Sequence, residues 1–526
     1  MTVRQRSAAR FAIAYGVLAP LYLAPLFATR FLPALDLPHH LAIADALAKA
    51  ASPDSPYAKL YLVHLRPAPF DAHFVALVAL SSWMSLSTAA KLLVGLQVLA
   101  LPLACARLLA ASGRSAVPAL LAFPLGYAMP VHYGLLAFVL AVPVLVWVLA
   151  EAADERAWTH RPWRQAAILA AVLLLLFFIH LEAYALGLVA AVLAVATHRL
   201  PRARRALGLV AAVPSLAVFL LYVMPPTRDG APPSASVAHA FLAATLQELR
   251  EEGLLGRLAS RARGLPVHLL RGFTDGADVR ASYAFFAIVL GIALSAWRMR
   301  VADGPRDRPR FGAAACLGLA ALGAYFLLPH HVDPHAHSIY PRFALVLAVT
   351  ALLAIPARLS RAHPRALDLV AALLVFAAVL HAGILRREYA AFGRELADFE
   401  TLIEALPPGH ASGGLVFDPD SRVMNVVGIL WGVPAYYATE RRAPRTSTYL
   451  YSCQQPHLPC RLRDPDTPPV LPHFTRPETF DARRALEDVD LLLVRGGPAA
   501  GTIFGAETAR VRLAAEAGTW RAFVRR

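Results

Sequence analysis

Apolar runs of about 20 residues recur through the first three quarters of this sequence, starting with "FAIAYGVLAPLYLAPLFA", and each is long enough to cross a hydrocarbon layer of roughly 30 Å. Lipid offers the backbone no hydrogen bonds, so such a chain must fold as helices that satisfy their own peptide groups. The composition agrees. Of 526 residues, 58% are hydrophobic and only 16% charged, where soluble domains carry about 25% charge. Beyond about residue 386 no apolar run is long enough to span.

Eleven spans are expected, near 11–29, 88–110, 115–129, 133–150, 165–179, 182–197, 206–224, 281–297, 311–328, 343–357 and 366–385. The basic start and apolar run at the N-terminus, with no clear small-residue cleavage site, read as an uncleaved signal anchor. With the N-terminus cytoplasmic, the inward loops collect the arginines: Arg4, Arg6 and Arg10; Arg156, Arg161 and Arg164; Arg199, Arg202, Arg204 and Arg205; and Arg358, Arg361 and Arg365. The outward turns near 130, 180 and 335 carry almost none until Arg342, as positive-inside insertion requires. The net charge of +16 is therefore a topology signal. It lies in short clusters with no continuous basic face, which argues against nucleic acid as a partner.

Two long outward loops follow from this topology, near 30–87 and 225–280. The first holds "FVALVALSSWM", too short to span and suited to an interfacial or re-entrant helix. In the second, Phe241, Leu242, Leu246, Leu249 and Leu258 approximate one helical face, as in a helix lying on the membrane surface. The expected organisation is a multi-span domain over 1–385 and a small extracytoplasmic α/β domain over 386–526. In an oxidising compartment Cys453 and Cys460 would form a disulfide, whereas Cys105 and Cys316 fall in spans and read as inert core residues.

Polar residues gather at the outward ends of the spans. Asp36, His39 and His40 follow the first span, with His64, Asp71 and His73 later in that loop. His132 lies at the next outward turn, His180 and Glu182 at the one after, and "LPHHVDPHAHSIYPR" carries His330, His331, Asp333, His335 and His337 ahead of Arg342. Ionisable groups near membrane depth are costly and point to function. For each His taken singly, an interfacial cap or a satisfied structural hydrogen bond is the plainer reading, and Asp36 has its own plain reading as the cap of a helix starting near Pro38. His39, His132, His180 and Glu182 are the candidates to line a substrate cleft.

An acidic residue directly after the first span, a large first outer loop, many spans and a terminal outer α/β domain together resemble the GT-C superfamily of membrane glycosyltransferases. The "D-x-P-x-H" turn of Asp36, Pro38 and His40 resembles divergent bacterial members. The resemblance implies an α-helical polytopic protein of the bacterial inner (cytoplasmic) membrane that takes a sugar from a polyprenyl-phosphate donor, among membrane lipids, to an extracytoplasmic glycan, lipid or protein acceptor, with inversion. It makes Asp36 the general base, with His40 beside it, and sets Arg342 against the donor phosphate with His330 and His331 assisting. His331, Asp333 and His335 could hold a divalent metal cation. The sequence departs from the family in having Leu37 where many members carry a second acid, and in lacking a His-Pro-Pro later in the loop. Two other classes remain open: a transporter or flippase, which should show inverted repeats and charges near the bilayer midplane, and a non-catalytic envelope-assembly protein on a degenerate transferase fold.

Overall fold

The structure, a computed structural model, describes residues 3–50, 52–63, 68–223, 233–303, 313–332, 338–352, 364–441, 460–462 and 476–526. Among these residues six helices are long and apolar enough to cross a membrane: Gln5–Phe27, Leu86–Ala111, Leu136–Ala153, Pro162–Ile179, Arg202–Tyr222 and Asp368–Glu395. The other expected spans also fall on helical chain, at Val117–His132, Leu181–Thr197, Ala277–Asp303, Ala313–Leu327 and Phe343–Ala351. The expected end of the last of these, at 357, lies outside the described residues. The chain is a multi-pass membrane protein.

Leu86–Ala111 and Leu136–Ala153 pack on each other at the centre and are mostly buried. The outer helices instead present Ile13, Val17, Leu220, Leu221, Leu369, Leu373 and Phe376 as exposed apolar side chains, which is the surface that lipid requires. The segment expected as one span over 115–129 is broken. Pro118, Pro124 and Pro130 divide it into a 3-10 turn, Val117–Leu121, and two single-turn helices, Ala122–Leu125 and Met129–His132. Proline lacks the N–H that a helix interior needs, and broken backbone survives at membrane depth only inside protein. Val117, Ala119, Ala122, Phe123 and Leu125 are accordingly sealed within the bundle.

The loop expected over 30–87 forms three helices, Leu37–Ala50, Pro56–Leu60 and Ala72–Ser81, and a short strand, β1 (Tyr61–Val63). Ala72–Ser81 is the expected short helix: His73, Phe74 and Leu77 point inward while Val75 is exposed, and Trp83 beyond its end is also exposed. The second loop is a helical hairpin, Pro233–Glu252 and Leu254–Leu270, reversed at Gly253 with φ +68°. Its expected apolar face is split, because Leu242 and Leu246 are exposed while Phe241 packs against the core.

The expected domain boundary at 385/386 falls inside one unbroken helix, Pro364–Glu395. It leads to a four-stranded sheet in the order β2 (Ser412–Val416), β4 (Leu491–Arg495), β6 (Trp520–Arg525) and β5 (Val511–Ala517). β2 runs parallel to β4 and the other pairs are antiparallel. β4 is buried along its whole length, as a strand covered on both faces must be. Leu492 and Val494 join Phe504 and Phe523 in a small outer core, whereas Leu491 and Leu493 face the main one.

This outer region is fastened to the first loop. β1 pairs antiparallel with β3 (Cys460–Leu462), and Phe31 stacks on Tyr436 at 4.0 Å. Arg30 reaches Glu404 at 2.5 Å and Glu440 at 3.0 Å, and Ser87 donates to Glu440 at 2.9 Å. With Glu400 at 4.0 Å, three acids surround this one half-buried guanidinium and depend on it for their charge balance. Arg30→Ala and Glu440→Ala should each lower the thermal midpoint of detergent-solubilised protein, and the double variant should fall short of the sum by about 1 kcal/mol of coupling. Strict additivity in that cycle would mean the pair does not fasten the two regions.

Candidate functional site

Asp36 lies in the turn between the first span and helix Leu37–Ala50, and its position is set by backbone. Leu35 N–H donates to the His132 carbonyl at 2.9 Å and Asp36 N–H to the Tyr133 carbonyl at 3.2 Å. The two outward turns approach closely because residue 134 is glycine, with φ +77°; a Cβ there would stand 2.6 Å from the Asp36 nitrogen and 2.8 Å from that of Leu37. From the other side Gly432 of the outer region meets the Leu35 carbonyl, where a Cβ would come within 2.9 Å.

The Asp36 backbone carbonyl takes hydrogen bonds from the His39 and His40 N–H groups, each at 3.1 Å. Helix initiation thus engages the main chain of Asp36. Its carboxyl is pushed up to about 7 by burial, with the Arg342 guanidinium pulling the other way. A carboxyl poised near neutrality is suited to accept a proton.

Arg342 is 7% exposed. Its Nε donates to the Ser338 carbonyl at 3.0 Å, its Nη1 stands 3.6 Å from a Glu182 carboxylate oxygen, and its guanidinium lies 5.7 Å from the Phe138 ring centre. Glu182 is partly exposed in the first turn of helix Leu181–Thr197, whose N-cap is His180. The His180 Nδ1 accepts from Ala183 N–H at 3.4 Å, which leaves the proton of the neutral ring on Nε2. The ring sits between Phe70 and Phe138, and burial lowers it to about 4, so it is uncharged at neutral pH.

His40 Nδ1 and His73 Nε2 are 2.9 Å apart and share one proton. Burial lowers His40 to about 4, so it brings a dipole and no charge to the neighbourhood of Asp36. His39 turns the other way: it is 4% exposed, and its Nε2 would stand 3.1 Å from a Cβ at Gly432. His132, also buried, forms part of the wall behind Asp36, its Nε2 3.4 Å from the Tyr389 hydroxyl and its ring against Phe273.

The structure therefore brings together Asp36, His40, His180, Glu182 and Arg342, and sets His39 and His132 into the supporting walls. His330 is tied elsewhere, its N–H donating to Glu248 at 2.6 Å and its ring facing Tyr340; His331 lies beside it and both are exposed. Asp333, His335 and Cys453 lie outside the described residues, so the metal set and the disulfide expected from the sequence are not represented. Among the described residues no cluster of three or more His, Cys, Asp or Glu could hold a metal.

Sequence reasoning passed over three residues that shape this cluster. Phe70 and Ser338 are the non-glycine residues with positive φ, +72° and +53°, among the described residues. One abuts His180 and the other holds Arg342. Such conformations cost about 1–3 kcal/mol and collect at functional sites, but neither residue type signals them in advance. Gly134, the third, had a readable signal, a lone glycine in the outward turn "HYGLL".

No protein-family model matches the sequence, and no curated protein matches it. In structure the chain is similar to ArnT from Cupriavidus metallidurans, solved by crystallography in the apo state, with a TM-score of 0.50, 14% identity and 98% of each chain covered. It is also similar to the arabinofuranosyltransferase AftD from Mycobacteria, solved by cryo-electron microscopy, with a TM-score of 0.47 and 16% identity over 98% of this chain and 39% of that one. The chain thus shares its overall fold with ArnT over nearly its whole length.

The packing at Gly134 makes a direct test. Gly134→Ala should lower thermal stability by about 1–3 kcal/mol, because strain at positive φ adds to the clash with the Asp36 backbone. Gly323→Ala, in a helix with open space around the added methyl, should be neutral or slightly stabilising. Equal melting of the two variants would contradict this geometry.

Proposed function

We propose that this protein is an inverting membrane glycosyltransferase that moves a sugar from a polyprenyl-phosphate donor to an acceptor hydroxyl on the extracytoplasmic face. The observation that carries the reading is the convergence of Asp36 and Arg342, from turns 306 positions apart in sequence, close enough for the guanidinium to act on the carboxyl. Asp36 takes the proton of the acceptor hydroxyl as its oxygen attacks the anomeric carbon. The bond from that carbon to the phosphate oxygen breaks, its electron pair leaves on the phosphate, and Arg342 holds the anion through its planar fork. His40, kept neutral, orients the acceptor by hydrogen bonding. The positive-inside pattern supports an N-terminus in the cytoplasm and a cleft facing out.

The transport reading gains no support from the cleft, since its charged members sit at an outward turn and at helix ends. Midplane charge on broken helices would be expected of a carrier.

Two expectations follow from Asp36. It must be ionised to act, so transfer measured in membranes with a panel of polyprenyl-phosphate hexoses and pentoses should fall about tenfold per pH unit below about 7 and level off above. Asp36→Asn should lose at least about 100-fold, and Arg342→Ala, besides weakening donor binding, should move the inflection to higher pH. Transfer that survives the double substitution would sink the reading.

The second expectation concerns stability. The folded-state value lies above the ordinary 3.8, so the folded chain holds a proton that the unfolded chain has lost between about pH 4 and 7, and stability declines as pH rises through that window. Asp36→Asn should therefore melt higher than the parent at pH 8, by about 2 °C, with the gain vanishing near pH 4. A lower melting point at pH 8 would show the carboxylate to be structural.

A further inference from the structure

The helical hairpin Pro233–Glu252 and Leu254–Leu270 carries two buried arginines. Arg257 and Arg261, one turn apart on its second arm, are 0% and 3% exposed, although arginine is rarely buried without partners. Both reach the end of helix Ala313–Leu327. Arg257 donates to the Leu327 and Leu328 carbonyls at 2.9 and 2.7 Å, and Arg261 to those of Tyr325 and Leu328 at 2.9 and 2.7 Å. These are carbonyls that a helix C-terminus leaves unpaired. Glu248 on the first arm ties the two guanidinium groups together at 3.1 and 3.0 Å and accepts the His330 N–H.

The same clamp grips the approach to Arg342. The Arg261 guanidinium carbon lies 3.8 Å from the centre of the Tyr340 ring. Tyr325, His268 and His330 box that ring on other sides at 5.5, 5.2 and 5.7 Å. The Tyr325 hydroxyl donates to the Arg261 carbonyl and is met by His268 Nδ1, both at 2.8 Å, so the box is itself hydrogen-bonded. Only Pro341, with its fixed φ, separates Tyr340 from Arg342. Beyond it the N–H groups of Phe343 and Leu345 return to the Tyr340 and Arg342 carbonyls. A short, constrained link of this kind ties the placement of the Tyr340 backbone to that of Arg342.

We propose that Tyr340, held in the Arg261 clamp, is the positioning residue that aims Arg342 at the phosphate of a polyprenyl-phosphate ligand. This rests on the donor reading above and deepens it, giving the hairpin a part in recognising the headgroup. Tyr340 does not touch the ligand in this scheme. A cation over an aromatic face needs the ring and not the hydroxyl, which provides a conservative variant.

The experiment is a native mass spectrometry titration of full-length protein with undecaprenyl phosphate and, separately, undecaprenol, reading the preference for phosphate over alcohol. Tyr340→Phe should keep the parent preference within about twofold. Tyr340→Leu and Arg261→Lys should each lower it about tenfold by misdirecting a bidentate contact, with undecaprenol binding unchanged. Loss of both lipids together in Tyr340→Leu would mean a general packing role and would overturn the inference, as would full preference in both variants. If the parent protein itself does not prefer the phosphate, the donor reading falls and takes this one with it. A parent preference that survives in Tyr340→Leu and Arg261→Lys overturns this inference alone.

Discussion

Two backbone hydrogen bonds, from Leu35 and Asp36 N–H to the His132 and Tyr133 carbonyls, join the first outward turn to the second, and the cleft is built around that contact. Neither turn is a regular element, so each would otherwise leave peptide groups unpaired close to the hydrocarbon. Pairing them with one another removes that cost and fixes the Asp36 main chain before any side chain is considered. The glycine at 134 permits the approach, and the proline-broken segment Val117–His132, sealed inside the bundle, delivers the second turn to it.

The outer region acts as the back wall of the same cleft. Gly432 and His39 meet behind the Asp36 turn, Phe31 stacks on Tyr436, and Arg30 collects acids from two separate helices. Because Pro364–Glu395 runs from the membrane into this region without a break, its placement is transmitted rigidly. An independent domain on a flexible tether could not keep a turn at a fixed depth. Strand pairing between β1 and β3 serves the same end from the far side of the loop.

Much of this was legible in the sequence where the signal was hydropathy. The apolar runs marked the helices, and the outward clustering of polar residues named Asp36, His180, Glu182 and Arg342 before any contact was known. Hydropathy could not see that Pro118, Pro124 and Pro130 act together, because a buried broken segment is as apolar as a lipid-facing span. It could not separate His39 from His40 either, since adjacent helical positions point about 100° apart and only packing says which faces the cleft. The hairpin was only partly legible for a related reason. Its apolar stripe suggested a lipid surface, while two arginines one turn apart on its second arm were the residues committed to the interior.

On the proposed reading, the charges around Asp36 have to accommodate an anionic donor phosphate. Three histidines nearby, His39, His40 and His180, are kept neutral by burial, and the charged members of the cluster include Asp36, Glu182 and Arg342. Glu182 approaches Arg342 only to 3.6 Å, beyond hydrogen-bond distance, while Nε is fully engaged by the Ser338 carbonyl. The guanidinium is thus oriented through its Nε edge. On the reading proposed above, a donor phosphate reaching Arg342 would outcompete the partly solvated Glu182 carboxylate, because charge-assisted bidentate bonds are stronger than a long ion pair. Its negative charge would offset the influence of Arg342 on Asp36 and make the carboxyl a stronger base when donor is present. On the proposed reading, donor binding and proton abstraction would be coupled through one guanidinium, which would tie the chemistry at Asp36 to the placement of Arg342.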